Sequence, residues 1–91
     1  VSKQATILVV DDNSDNVEIL RALLESRGYT VASAMDGRSA LAKMEDVRPD
    51  LVLLDVMMPG MDGWQVCRTI KNHPVFCSTR VVMVTAKGGY E

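Results

Sequence analysis

Apolar and polar positions alternate in blocks along this chain, and the blocks have two lengths. Ile7-Leu8-Val9-Val10 is an uninterrupted apolar run of strand length, as expected of a strand buried on both faces, and Leu51-Val52-Leu53-Leu54 and Val81-Val82-Met83-Val84 repeat it. Tyr29 to Ala34 alternates only weakly and predicts a second strand nearer a sheet edge. Helical periodicity fills the intervals. Asn13 and Ser14 can cap a helix running from about Ser14 to Arg27, in which Val17, Leu20, Leu23 and Leu24 recur at spacings of three and four and Gly28 supplies the stop. Asp36-Gly37 turns the chain into a second helical pattern of Ala40, Leu41, Met44 and Val47, ended by Pro49, which disfavours helical geometry at Arg48. The Pro59-Gly60 pair marks Met57 to Gly63 as a loop, and Asp62 can cap a third helix carrying Trp64, Cys67 and Ile70 with Val66 beside them. Pro74 lies beyond its end, and Ala86 onward can open a further helix.

Strands that alternate with helices through short joints imply right-handed crossovers and a parallel sheet with helices on both faces. Ligands in such sheets sit at the carboxyl ends of the strands. Asp11, Asp12, Asp55 and Thr85 all fall at those ends. If the first and third apolar runs lie side by side, three carboxylates converge, and such a group either raises a pKa strongly or recruits a cation. A divalent metal or a shared proton is therefore expected. Taken singly, Asp11 and Asp62 could be helix caps and Thr85 an ordinary strand end; it is their coincidence at one sheet edge that points to chemistry.

Composition removes several alternatives. At 91 residues the chain is one domain at most, with no room for a second catalytic unit. A net charge of -2 with scattered signs gives no basic stripe, so direct nucleic-acid binding by this segment is not expected. No apolar run approaches the roughly 20 residues of a bilayer span, and no signal-peptide layout opens the chain, so the expectation is a cytoplasmic protein without a membrane segment. Cys67 and Cys77 lack paired metal spacing and read as free thiols, and His73 before Pro74 reads as a loop or helix-end residue.

The motifs ILVVDDN from Ile7, LVLLDVMMPGMDGW from Leu51 and VVMVTA from Val81 together resemble the receiver domain of two-component response regulators, in order and spacing, from about Ile7 to Ala86. The resemblance implies an α/β fold, a doubly wound, flavodoxin-like parallel sheet in the order 2-1-3-4, with the family's fifth strand absent from this chain. It implies that Asp55 is the phosphoacceptor, a carboxylate nucleophile that takes a phosphoryl group from a sensor histidine kinase or phosphotransfer protein. It further implies Mg2+ held directly by Asp12, Asp55 and the backbone carbonyl of Met57, with Asp11 reaching the ion through water. Thr85 corresponds to the hydroxyl that bonds the phosphoryl oxygen, and Ala86 to the small residue that leaves space for it; Pro59 and Gly60 shape the adjoining loop. The side chain of Met57 stands where the family positions hydrolytic water, and a thioether there predicts slow self-dephosphorylation. By analogy the first helix faces the partner kinase, with Asn16 and Glu18 on or near that face.

The chain departs from the family pattern in stopping at Glu91, so no residue matches the lysine at the end of the fifth strand, and Lys87 is not its equivalent. The expected domain, residues 1–91, is then C-terminally incomplete. It would leave Val81 to Val84 as an apolar edge that recruits other strands, so the chain is expected either to be a fragment or to self-associate. Two other readings compete with a phosphoacceptor that turns over no separate substrate. One is a receiver-like interaction module, unphosphorylated for want of the lysine. The other is an aspartyl phosphohydrolase, which is disfavoured because Met57 stands where those enzymes place a second aspartate.

Overall fold

The computed structural model describes residues 5–55 and 63–84. In chain order the elements are β1 (Thr6–Val10), α1 (Ser14–Glu25), β2 (Thr30–Ala34), α2 (Gly37–Val47), β3 (Leu51–Asp55), α3 (Gly63–Asn72) and β4 (Arg80–Val84). The strands form one parallel sheet in the order β2-β1-β3-β4, with β1 matched to β3 so that Val10 lies opposite Leu54.

Side-chain alternation divides the apolar runs between two cores. Leu8, Val10, Val52 and Leu54 point to the side of α2 and α3, where Ala40, Met44, Val66, Ile70 and Phe76 close over them. Ile7 and Val9 point the other way, toward Val17 of α1, with Leu20, Leu24, Leu51 and Leu53 packed at the margin.

Element ends follow local hydrogen bonding. Asn13 caps α1, its Oδ1 accepting from the amides of Asp15 and Asn16 at 2.9 and 3.2 Å, which leaves Ser14 as the first helical residue. The helix stops at Glu25, two residues earlier than the periodicity predicts, and Gly28 takes φ 95° in the closing turn. Tyr29 is not part of β2 because its amide donates to the Leu24 carbonyl at 3.2 Å. Asp36 caps α2 by accepting from the Ser39 amide at 2.8 Å, a bond that holds its carboxyl below the usual range. Arg48, before Pro49, leaves the helix through the left-handed region at φ 50°.

Two expectations for helix faces are corrected. Leu23 is 49% exposed and Trp64 is 57% exposed. The stripes that meet the sheet are Val17, Leu20 and Leu24 on α1 and Gly63, Val66 and Ile70 on α3. Leu23 and Trp64 each sit one position around the helix from them.

The edge at β2 is guarded. Thr30 donates to Ala5 and Ala34 accepts from Asp11, so even-numbered residues of β2 bond to β1 and odd-numbered ones face outward. Arg21 of α1 reaches that open side, donating to the Val31 carbonyl at 3.1 Å and to Ser33 Oγ at 3.0 Å. A bulky cation over the outward carbonyl obstructs addition of another strand.

Candidate metal and phosphoryl site

The same alternation that sends Ile7 and Val9 toward α1 sends Asp11 there, and Asp55 follows Leu51 and Leu53 to the same side. Since Val10 lies opposite Leu54, the next residues of the two strands, Asp11 and Asp55, arrive together at the carboxyl end of the sheet. Asp12 joins them: one carboxylate oxygen from each of Asp11, Asp12 and Asp55 lies within 4.8 Å of the others. Asp55 is 0% exposed and Asp11 4%, whereas Asp12 is half-buried at the mouth.

Asp11 is held at both ends. Its backbone amide donates to the Ala34 carbonyl at 3.1 Å, fixing the end of β1 against β2. In the side chain, Oδ1 accepts from the Asn13 amide at 2.9 Å and Oδ2 from Asn16 Nδ2 at 3.4 Å. Burial pushes the Asp11 carboxyl above the ordinary aspartate range; the Asn13 bond pulls it back, the charge of Asp55 pushes it up again, Asn16 lowers it and Asp12 raises it.

All three groups offer hard oxygen donors, which suits a small divalent cation such as Mg2+, and three carboxylates this close favour a positive charge between them. The sequence leads one to expect these three carboxylates to converge at one end of the sheet, and they do converge there. Met57, Pro59, Gly60, Asp62, Thr85, Ala86 and Lys87 lie outside the described residues. Asn16, expected by analogy on or near the partner-facing side, is half-buried and turns its amide to Asp11, while Glu18 is exposed. The offset of five residues from Asp11, at the first turn of a helix that starts beside it, is the pattern that could have revealed Asn16.

The family model described as the response regulator receiver domain matches residues 7–91. The chain belongs to this family. Among curated relatives, it is 52% identical over 85 residues to the response regulator PleD of Caulobacter vibrioides, covering 93% of this chain and 19% of that protein. It is 41% identical over 83 residues to protein PilG of Pseudomonas aeruginosa, covering 91% of this chain and 62% of PilG. The chain thus spans less than two thirds of the length of either. Among solved structures, the N-terminal domain of a response regulator receiver protein from Methanoculleus marisnigri superposes with a TM-score of 0.89 at 42% identity, covering 93% of this chain and 69% of that one. The sheet is therefore the flavodoxin-like sheet of a two-component receiver domain, in the strand order the motifs imply.

Cys67 is half-buried and Cys77 exposed, both as free thiols. His73 lies just past α3, its Nδ1 accepting from the Val75 amide at 3.0 Å and its ring stacked on Phe76 at 4.3 Å. No described helix is long and apolar enough to cross a membrane.

Proposed function

We propose that this receiver domain accepts a phosphoryl group on Asp55 from a histidine kinase or phosphotransfer protein, with Mg2+ in the acidic pocket, and so switches a downstream output. The observation that carries the reading is the convergence of Asp11, Asp12 and Asp55 at the carboxyl end of β1 and β3 in a chain of this family. An Asp55 oxygen attacks phosphorus, an O–P bond forms as the N–P bond to the donor imidazole breaks, and the electron pair leaves with the imidazole nitrogen. Asp12, Asp55 and the backbone carbonyl of Met57, with Asp11 in support, would hold Mg2+, and the ion when bound would supply positive charge against the carboxylates and the incoming phosphoryl oxygens.

The chain's own residues supply the rest. Burial fixes the Asp55 side chain at the end of β3 and thins the water around the nucleophile. Thr85 donates its hydroxyl to a phosphoryl oxygen, Ala86 leaves room beside it, and the Met57 side chain withholds a hydrogen bond from attacking water. The domain modifies itself and turns over no separate substrate, in the cytoplasm where its kinase is. β4 is the outermost strand on its side of the described sheet, and Val82, opposite Leu53 on the α1 face, is 44% exposed; coverage of this strand by further chain or by a second copy is what sizing with light scattering would register.

The test is incubation with acetyl phosphate with and without Mg2+, followed by intact mass and borohydride mapping. One phosphoryl adduct, dependent on Mg2+, mapping to Asp55 and lost in Asp55→Asn, is the expected result. Mg2+ binding without any adduct would favour the interaction-module reading instead.

A further inference from the structure

We propose that Asn16 is a positioning residue for the cation pocket, holding the Asp11 carboxylate in one orientation and thereby setting both affinity and preference for the divalent ion. The inference rests on the reading of Asp11, Asp12 and Asp55 as that pocket. Rotation about the Cβ–Cγ bond of Asp11 is stopped only if both oxygens are engaged. The Asn13 amide takes Oδ1 at 2.9 Å and the Asn16 amide takes Oδ2 at 3.4 Å, so removing either donor frees the carboxylate to turn.

Asn16 is itself firmly placed. Its backbone amide donates to Asn13 Oδ1 at 3.2 Å within the cap of α1, which fixes where the side chain starts. An ionised carboxylate only accepts hydrogen bonds, so toward ionised Asp11 the amide presents Nδ2 rather than its oxygen. A neutral donor suits this place. It supports the charge on buried Asp11 without adding a fourth carboxylate, as aspartate would, and without a fixed cation competing for the metal position, as lysine would. Partners of this kind around metal ligands typically govern affinity by about tenfold or more.

Calorimetric titration with Mg2+ and with Ca2+ of wild type, Asn16→Ala, Asn16→Asp and Glu18→Ala separates the outcomes. Asn16→Ala should weaken Mg2+ binding about tenfold. Asn16→Asp, nearly isosteric, turns the donor into a further anionic oxygen and should shift preference toward Ca2+, which accepts more oxygen ligands. Glu18→Ala, exposed on the same helix, should bind as wild type does. Wild-type Mg2+ affinity in Asn16→Ala would overturn the proposal. Were Asn16→Ala to unfold, an unchanged Mg2+ to Ca2+ ratio in Asn16→Asp would overturn it equally. Failure of wild type to bind either ion would instead sink the reading of the pocket, which distinguishes the two failures.

Discussion

The two faces of the sheet carry unequal shares of the described apolar core. Among the described residues, the face under α2 and α3 buries ten core side chains, including Leu8, Met44, Leu54 and Ile70, whereas the face under α1 buries four, Ile7, Val9, Val17 and Val31. Asp11 and Asp55 belong by alternation to the leaner face. A thick apolar layer on one side can tolerate charged groups at the rim of the other, so stability and chemistry are drawn from opposite sides of the same strands.

Truncation should separate the faces most clearly. Ile70→Ala, emptying a fully buried position in the thick core, should cost about 3 to 4 kcal/mol in urea denaturation, whereas Val17→Ala on the α1 side should cost about 1 to 2 kcal/mol. Equal losses would mean that the α1 face bears as much of the fold as the other.

The next effect belongs to the acidic rim. Because burial raises the Asp11 carboxyl, the folded domain binds that proton more tightly than the unfolded chain does. The stabilisation this confers is complete below the ordinary aspartate range and is lost as pH rises through the raised value. The cation-free domain should therefore lose stability toward neutral pH, and Asp11→Asn should flatten that loss. Mg2+ about a hundredfold above its Kd should restore about 2.7 kcal/mol near neutral pH and progressively less in acid, read as a shift in the thermal midpoint.

Smaller effects come from the joints. Asn13→Ala removes the cap of α1 while leaving its own backbone amide to Asp11, and should cost about 1 kcal/mol in urea denaturation. Arg48→Gly relieves the left-handed residue after α2 and, against the extra freedom of glycine in the unfolded chain, should gain less than about 1 kcal/mol by the same measurement.

The strands and the trio of aspartates were readable from the chain because each depends on a short contiguous signal: an apolar run and the acid that ends it. Helix phase was less so. Leu23 and Trp64 are apolar enough to be buried, but hydrophobicity does not say which of two neighbouring positions on a helix meets the sheet, and α1 meets the sheet through a narrow stripe of Val17, Leu20 and Leu24. Asn16 and Arg21 were hidden for another reason. Polar residues on an amphipathic helix read as solvated, and their partners, the Asp11 carboxylate and the outward side of β2, come near only once strands and helix have packed.

Binding of Mg2+ by wild type, Asp12→Asn and Asp55→Asn, measured by calorimetry near neutral pH, tests the account most directly. One site in the wild type, with affinity sharply reduced in both variants, is the predicted result. A wild type that takes up no divalent cation, or variants that bind it undiminished, would contradict the claim that these carboxylates form one pocket for an ion and a phosphoryl group.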